Sequence, residues 1–210
     1  MADKIFWQWL AGFIDGDGSL QVRYDKDSQG YKYRSPSISI AQKYRKNLDY
    51  IKKEIGFGNV WYSKGAQVFY YDISGIKRSL YILEKIKNHL HTNKKKKQLQ
   101  KMIKFDIIKD YQEGELTKYW LAGFYEAEGY VSRYTTKYKD KVYQYHQIGF
   151  CQSYDKSILS KIKKFLNEGK INDNELYIYK TRKCVEIANM LIPYVVCNYK
   201  KSKLKLCLTN

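Results

Sequence analysis

The chain is written twice, and that limits what it can fold into more than any other feature. Residues 9–18 read WLAGFIDGDG and residues 120–129 read WLAGFYEAEG. Trp, Leu, Ala, Gly and Phe recur in order, and an acid recurs at two positions before a shared glycine. Two further markers follow in the same order. Ile38-Ser-Ile-Ala-Gln42-Lys-Tyr44 is echoed by Ile148-Gly-Phe-Cys-Gln152-Ser-Tyr154, and Asn93-Lys-Lys95-Lys96 by Asn198-Tyr-Lys200-Lys201. Ordered markers with a slowly shrinking offset mean a duplicated unit. The reading is two halves, 1–112 and 113–210, meeting near the short polar stretch Tyr111-Gln-Glu-Gly-Glu115. A connection this short favours halves packed against each other.

Within each half, periodicity predicts the order αββαββα, an α+β fold. Phe6, Leu10 and Phe13 lie at helical spacing over 4–17, with Gly18 as a stop signal. Leu20, Val22 and Tyr24 alternate with Gln21 and Arg23 as in a strand. Residues 32–41 alternate again, with Ile38 and Ile40 on one side and Ser35, Ser37 and Ser39 on the other. A helix is predicted from Tyr44 to Ile55, then strands over 59–62 and 67–73 around Ser63-Lys-Gly65. Helices from Ile76 to His89 and from Lys94 to Gln112 complete the half. Asn172-Asp-Asn174 marks the second hairpin of the other half.

Charge narrows the partners. The 210 residues carry 39 Lys+Arg against 21 Asp+Glu, a formal charge of +18 that attracts polyanions. The basic residues are spread along the chain, which favours a broad binding face over a basic tail. No apolar run reaches the roughly 18 residues of a membrane span, and the N-terminus lacks secretory-signal features. An intracellular protein is expected. The four cysteines, at 151, 184, 197 and 207, contain no C-x-x-C pair, so idle thiols are expected rather than a disulfide framework or zinc site. Three histidines supply a catalytic relay poorly. Abundant Lys, Tyr, Ile and Asn suit an A/T-rich gene, such as one in a mitochondrion or chloroplast.

The repeated motif carries the chemistry. Each copy is a helix ending in acid-x-acid-Gly: Asp15-Gly-Asp17-Gly18 and Glu126-Ala-Glu128-Gly129. Carboxylates are unfavourable at a helix C-terminus, and two such ends brought together would repel further. A cation between them offsets that, and oxygen donors suit Mg²⁺. Successive helix residues turn about 100°, so only one acid per helix reaches a shared site; the distal one is the better placed. Gly12 with Gly16, and Gly123 with Ala127, are small residues four apart, which lets two helix backbones approach closely. A single copy would read as an ordinary helix closed by glycine; two copies with the acids retained do not.

These two motifs resemble those of the LAGLIDADG homing endonuclease family, in its monomeric two-motif form, over nearly the whole chain. The resemblance implies two pseudo-symmetric halves forming a saddle of two antiparallel sheets, packed through the two motif helices. It implies that Asp17 and Glu128 bind catalytic divalent metals, with backbone carbonyls from Gly16 and Ala127. It implies that Gln42 and Gln152 position water, and that Lys95 and Lys200 stabilise charge near the scissile phosphate, although Lys96 and Lys201 fit the spacing equally. Mg²⁺ is the expected ion, with Mn²⁺ substituting and Ca²⁺ binding without supporting cleavage. The implied activity is a double-strand break across the minor groove of a long, asymmetric DNA site, as in intron homing.

Recognition falls to strands laid in the major groove, whose base code is the richer. Parity selects Gln21, Arg23, Tyr33, Ser35, Ser37, Ser39, Tyr70 and Asp72 in the first half, and Ser132, Tyr134, Tyr143, Tyr145 and Gln147 in the second. A one-residue slip of register would invert both sets. Two rival readings share the scaffold. A maturase would bind intron RNA, with or without DNA cleavage. A non-catalytic DNA-binding regulator would be expected to lack one distal acid, and here both stand.

Overall fold

The computed structural model describes residues 3–26, 28–30 and 32–209. Its first helix, α1 (Lys4–Asp17), starts where Asp3 accepts the Phe6 N–H at 2.8 Å. Its counterpart α5 (Lys118–Glu128) starts where the Thr117 hydroxyl accepts the Trp120 N–H at 3.2 Å. Such side-chain caps satisfy amides that a helix start leaves unpaired. Both helices are buried nearly all round: α1 is buried from Phe6 through Asp15, and α5 from Trp120 through Glu126. They lie against each other, backbone on backbone. A Cβ added at Gly12 would stand 1.9 Å from the Trp120 carbonyl oxygen, and one at Gly123 would stand 1.9 Å from that of Trp9. At Gly16 it would meet the Ala127 Cβ at 2.3 Å.

The closing glycines serve a different purpose from the one their positions suggest. Gly18 and Gly129 are extended, with φ of −84° in both, not left-handed. Crowding excludes a side chain there: a Cβ would sit 2.7 Å from Ile14 at Gly18 and 2.0 Å from the Tyr125 ring at Gly129. The chain can therefore leave each helix directly into a strand.

Each half supplies a four-stranded antiparallel sheet. The first has β1 (Gly18–Lys26), β2 (Lys32–Gln42), β3 (Asn59–Ser63) and β4 (Val68–Ile73), in the order β1-β2-β4-β3. The second has β5 (Gly129–Tyr138), β6 (Lys141–Cys151), β7 (Lys170–Asn172) and β8 (Glu175–Ile178), in the order β5-β6-β8-β7. The inner faces bury Leu20, Ile38, Ile40 and Ile73 in one half and Ile148, Phe150, Leu176 and Ile178 in the other. Helices α2 (Arg45–Ile55), α3 (Ile76–Ile86) and α4 (Asn93–Lys104) complete the first half; α6 (Lys156–Leu166), α7 (Thr181–Leu191) and α8 (Asn198–Leu206) complete the second. The expected αββαββα order holds in both, and a further helix, α4 or α8, closes each half. No helix among the described residues is long and apolar enough to cross a membrane.

Two helix ends differ from expectation. The third helix stops at Ile86 and tightens into a 3₁₀ turn over Lys87–His89. The helix predicted to run to Gln112 ends at Lys104, because Asp106 turns left-handed at φ +54°. The remainder crosses to the second half, burying Ile108 and presenting Glu113. The Glu113 carboxylate accepts Lys96 at 2.6 Å from the first half and Lys161 at 2.5 Å from the second, with His91 Nδ1 at 3.0 Å. Burial alone would raise its pKa; the bonds from Lys161, Lys96 and His91 outweigh that and hold it down at about 2.

Two outcomes follow from these contacts. Gly12→Ala should cost about 3 kcal/mol of stability, since a rigid carbonyl occupies the space, read as a lower urea midpoint. Glu113 has a folded pKa below its ordinary 4.5, so it contributes stability above that pH and loses it as pH falls toward about 2. Glu113→Gln should lower Tm by about 2–4 °C at pH 7, and the difference from wild type should shrink progressively below pH 4.5.

Candidate active site and nucleic-acid interface

The crossing of α1 and α5 brings Asp17 and Glu128 together at one end of the helix pair. With Asp15, Gly16, Lys94, Gln152 and neighbours they line a cleft of about 170 Å³. Burial, and then the Glu128 charge, push the Asp17 carboxyl up to about 7. Glu128 is also raised, chiefly by burial. Both glutamines engage the acids from the ends of their strands. Gln42 Nε2 donates to Asp17 Oδ2, and Gln152 Nε2 donates to Glu128 Oε1 at 3.3 Å.

Placement separates the two lysine registers left open by spacing. Lys95 is fully buried, with no hydrogen-bond partner for its ammonium among the described residues, and it feels the charges of Asp15, Asp17 and Glu128. Burial depresses its pKa to about 8. Lys200 also acts on both distal acids, but its ammonium donates to the Gly129 carbonyl and, at 3.4 Å, to that of Tyr125. Lys96 instead turns to Glu113. Lys201 lines a different hollow, beside α2.

The proximal acids, for which sequence reasoning found no role, are structural anchors. Asp15 accepts the N–H of His91 at 2.7 Å and of Thr92 at 3.1 Å, the Thr92 hydroxyl at 2.6 Å and the Trp120 indole at 2.9 Å. It thereby fixes the start of α4, which carries Lys95, and reaches across to the other half. Glu126 does the same for α8: it accepts the backbone N–H of Val196 and, at 2.9 Å, of Cys197, and Asn47 of the opposite half at 3.1 Å. The signal was present, since a residue turned away from the shared site still needs partners when buried. Asp155 was also missed. It caps α6 through Ser157 and accepts Asn93 from the opposite half.

The recognition candidates fall on one face of each sheet. Register pairs Gln21 with Ser37, Arg23 with Ser35 and Ser39 with Asp72, and places Tyr70 opposite Ala41. In the second half it pairs Ser132 with Gln147, Tyr134 with Tyr145 and Thr136 with Tyr143. Gln21, Arg23, Tyr134 and Tyr143 are exposed; Ser39, Tyr70, Asp72, Ser132, Tyr145 and Gln147 are half-buried. Ser35 and Ser37 correct the expectation of an open serine row: both are buried, short side chains beside the longer Arg23 and Gln21. Asp72 is taken up by the Trp61 indole at 2.6 Å, and Trp61, absent from the parity sets, stacks on Tyr70. Tyr134 and Tyr143 both stack on Tyr145. The side chain of Tyr33 lies outside the described residues.

A duplicated αββαββα chain with one acid per half at a glycine-lined helix crossing defines a pseudo-symmetric, two-motif architecture. The LAGLIDADG endonuclease family model matches residues 10–106 and 121–206, and the chain belongs to that family. It is similar to the probable intron-encoded endonuclease Cox1-I1b of Schizosaccharomyces pombe, at 29% identity over 80% of this chain and 51% of that protein. It also resembles the intron-encoded RNA maturase bI4 of Saccharomyces cerevisiae, at 28% identity over 61% of this chain and 19% of that one. The chain thus spans about half or less of the curated relatives named here. Among solved structures, the LAGLIDADG meganuclease I-AabMI bound to uncleaved DNA matches with a TM-score of 0.71, at 18% identity over 97% of this chain and 89% of that one. The I-SmaMI homing endonuclease bound to cleaved DNA matches at 0.70, with 18% identity over 97% and 87%. At such identities the structural likeness speaks for the fold.

Stability separates the two kinds of acid. Asp15→Ala should cost about 3 kcal/mol or more, because it strands several buried donors. Asp17→Asn should leave Tm unchanged or raise it by relieving a buried like-charge pair. Parallel thermal melts of the two variants check both.

Proposed function

We propose that the chain is a monomeric, metal-dependent, site-specific double-strand DNA endonuclease of the homing type, acting at a long asymmetric site. The observation that carries this reading is the convergence of Asp17 and Glu128, one from each half, beside Lys95 and Lys200. Two buried carboxylates that repel each other suit a divalent cation. Among the described residues no cluster of three or more His, Cys, Asp or Glu side chains offers a complete ligand set. The donor set implied by the family resemblance would be Asp17, Glu128 and the backbone carbonyls of Gly16 and Ala127, completed by water and substrate phosphate. Hard oxygen donors of this kind fit Mg²⁺, with Mn²⁺ as substitute and Ca²⁺ as a non-supporting ligand.

The bound ion would lower the pKa of water and neutralise phosphate charge. The protein's own residues do the rest. Gln42 and Gln152 hold the two carboxylates in orientation. The Lys95 ammonium, buried beside both acids, stabilises the negative charge that builds up as a water attacks phosphorus and an ester oxygen departs. The outer faces of both sheets, with Gln21, Arg23 and the tyrosines of β5 and β6, meet base edges. The +18 charge draws the duplex in. The chain's likeness to relatives named as intron-encoded supports an intron origin, and an organellar gene fits its composition. Its likeness to a maturase supports intron RNA as a second partner.

The test is cleavage of a randomised DNA library with Mg²⁺, read by sequencing the cut ends. One family of sites cut on both strands is expected, and chelator should abolish cutting without unfolding the protein. Asp17→Asn and Glu128→Gln should each lose more than the roughly 100-fold that removal of an outer metal partner costs, with DNA affinity within severalfold of wild type. Binding should weaken with salt at a slope of about −0.9 per neutralised phosphate. Cutting that persists in excess chelator overturns the metal assignment; salt-sensitive DNA binding without cutting shifts the reading to RNA.

A further inference from the structure

The two flanks of the helix pair are furnished differently despite the pseudo-symmetry. On one side of the α1–α5 pair the linker carboxylate of Glu113 sits among Lys161 of α6, Lys96 of α4 and His91. Aligning α2 with α6 and α4 with α8 puts Tyr50, Lys201 and Val196 at the equivalent positions on the other side. All three line a hollow of about 360 Å³. Trp9, the counterpart of Trp120, lines it too, as does Lys46.

The hollow is equipped for a carboxylate but holds none: no residue of its lining is acidic. Glu54 and Asp3, whose charges act on Tyr50, lie outside that lining. Lys201 makes no ion pair among the described residues, and the Lys46 ammonium has only the Asn198 amide oxygen, at 2.8 Å. The Trp9 indole N–H is buried without a partner among the described residues, whereas that of Trp120 donates to Asp15 at 2.9 Å. A buried donor left unpaired costs free energy that a ligand oxygen would recover. The rest of the wall includes the apolar Ile5 and Tyr194, which suits the hydrocarbon part of a peptide. In the linker, likewise, Tyr111 and Leu116 pack on the core at either side of Glu113.

We propose that this hollow is a docking site for an acidic peptide segment of another polypeptide, which inserts a glutamate carboxylate between Lys46 and Lys201 as Glu113 inserts between Lys96 and Lys161. The inference does not depend on DNA cleavage. It concerns the flank of the helix pair beside α2 and α8, formed by other residues than the catalytic cleft.

The probe is an acetylated, amidated peptide with the sequence of residues 111–116, Tyr-Gln-Glu-Gly-Glu-Leu, titrated into the ¹⁵N-labelled protein while the four tryptophan indole N–H signals are followed. The expected result is a saturable shift of the Trp9 signal with a Kd of about 1 mM, worth roughly 4 kcal/mol. Affinity should be weakened at least about tenfold, or 1.4 kcal/mol, by Lys201→Met, by Lys46→Met, or by glutamine in place of both peptide glutamates. Unchanged melting temperatures would show that the variants remain folded. A Trp9 signal that stays still, or that responds equally to the glutamine peptide, overturns the proposal. So does an oligouridylate that moves Trp9 at lower concentration than the peptide, which would make the hollow a phosphate site.

Discussion

Where α1 and α5 cross, glycine lets one backbone rest on the carbonyl of the other, and this contact sets the positions of nearly everything else. A side chain at Gly12 or Gly123 would force the helices apart by more than any rotamer change could absorb. The separation decides whether Asp17 and Glu128 share one cleft. It decides whether Asp15 can accept the Trp120 indole from the opposite half, and whether Glu126 can accept Asn47. Because each motif helix runs straight into the first strand of its half, the crossing also sets how the two sheets are presented. Packing, the geometry of the candidate site and the outer faces of both sheets are all referred to a single small interface.

The two acids within each motif divide the labour. One is satisfied by many donors and holds a helix start in place; the other is left in a cleft where burial raises its pKa, with a like charge adding to the rise at Asp17. A lone buried carboxylate is costly. Asp15 offsets that cost with hydrogen bonds to protein, while among the described side chains Asp17 is bonded by Gln42 alone. The contrast sets apart the position to which the proposed function gives an outside ligand. Lys95 is the same case with opposite sign: a buried ammonium without a bond among the described residues, carried on the helix whose start Asp15 fixes.

Much of this was legible in the chain. The repeat announced two halves, strand alternation announced the faces later seen in register, and the helix turn angle separated proximal from distal acid. What was not legible depended on contacts across long sequence separations. Spacing could not choose between Lys95 and Lys96, because the choice depends on how α4 is rotated by its anchor to Asp15. Glu113 looked like a polar linker residue, since His91, Lys96 and Lys161 meet only in the fold. The fourth helix was drawn too long because nothing in its pattern marks Asp106 as left-handed. The glycines after each motif were read as helix stops in the usual sense, whereas they are there for want of room.

The Glu113 junction also bears on how the chain could be divided. The connecting segment is more than a tether, because its carboxylate binds both halves directly. If the protein were expressed as two polypeptides, a break on the amino-terminal side of Glu113 would leave the clamp with the second half, whose Lys161 it already holds, and the first half would have to find it through Lys96 and His91. A break on the other side would reverse the roles. In either case the clamp becomes an intermolecular contact and loses the effective concentration that covalent connection provides. Reassembly would then rest mainly on the glycine-lined helix crossing, with the linker acting as an adaptor between two separable proteins.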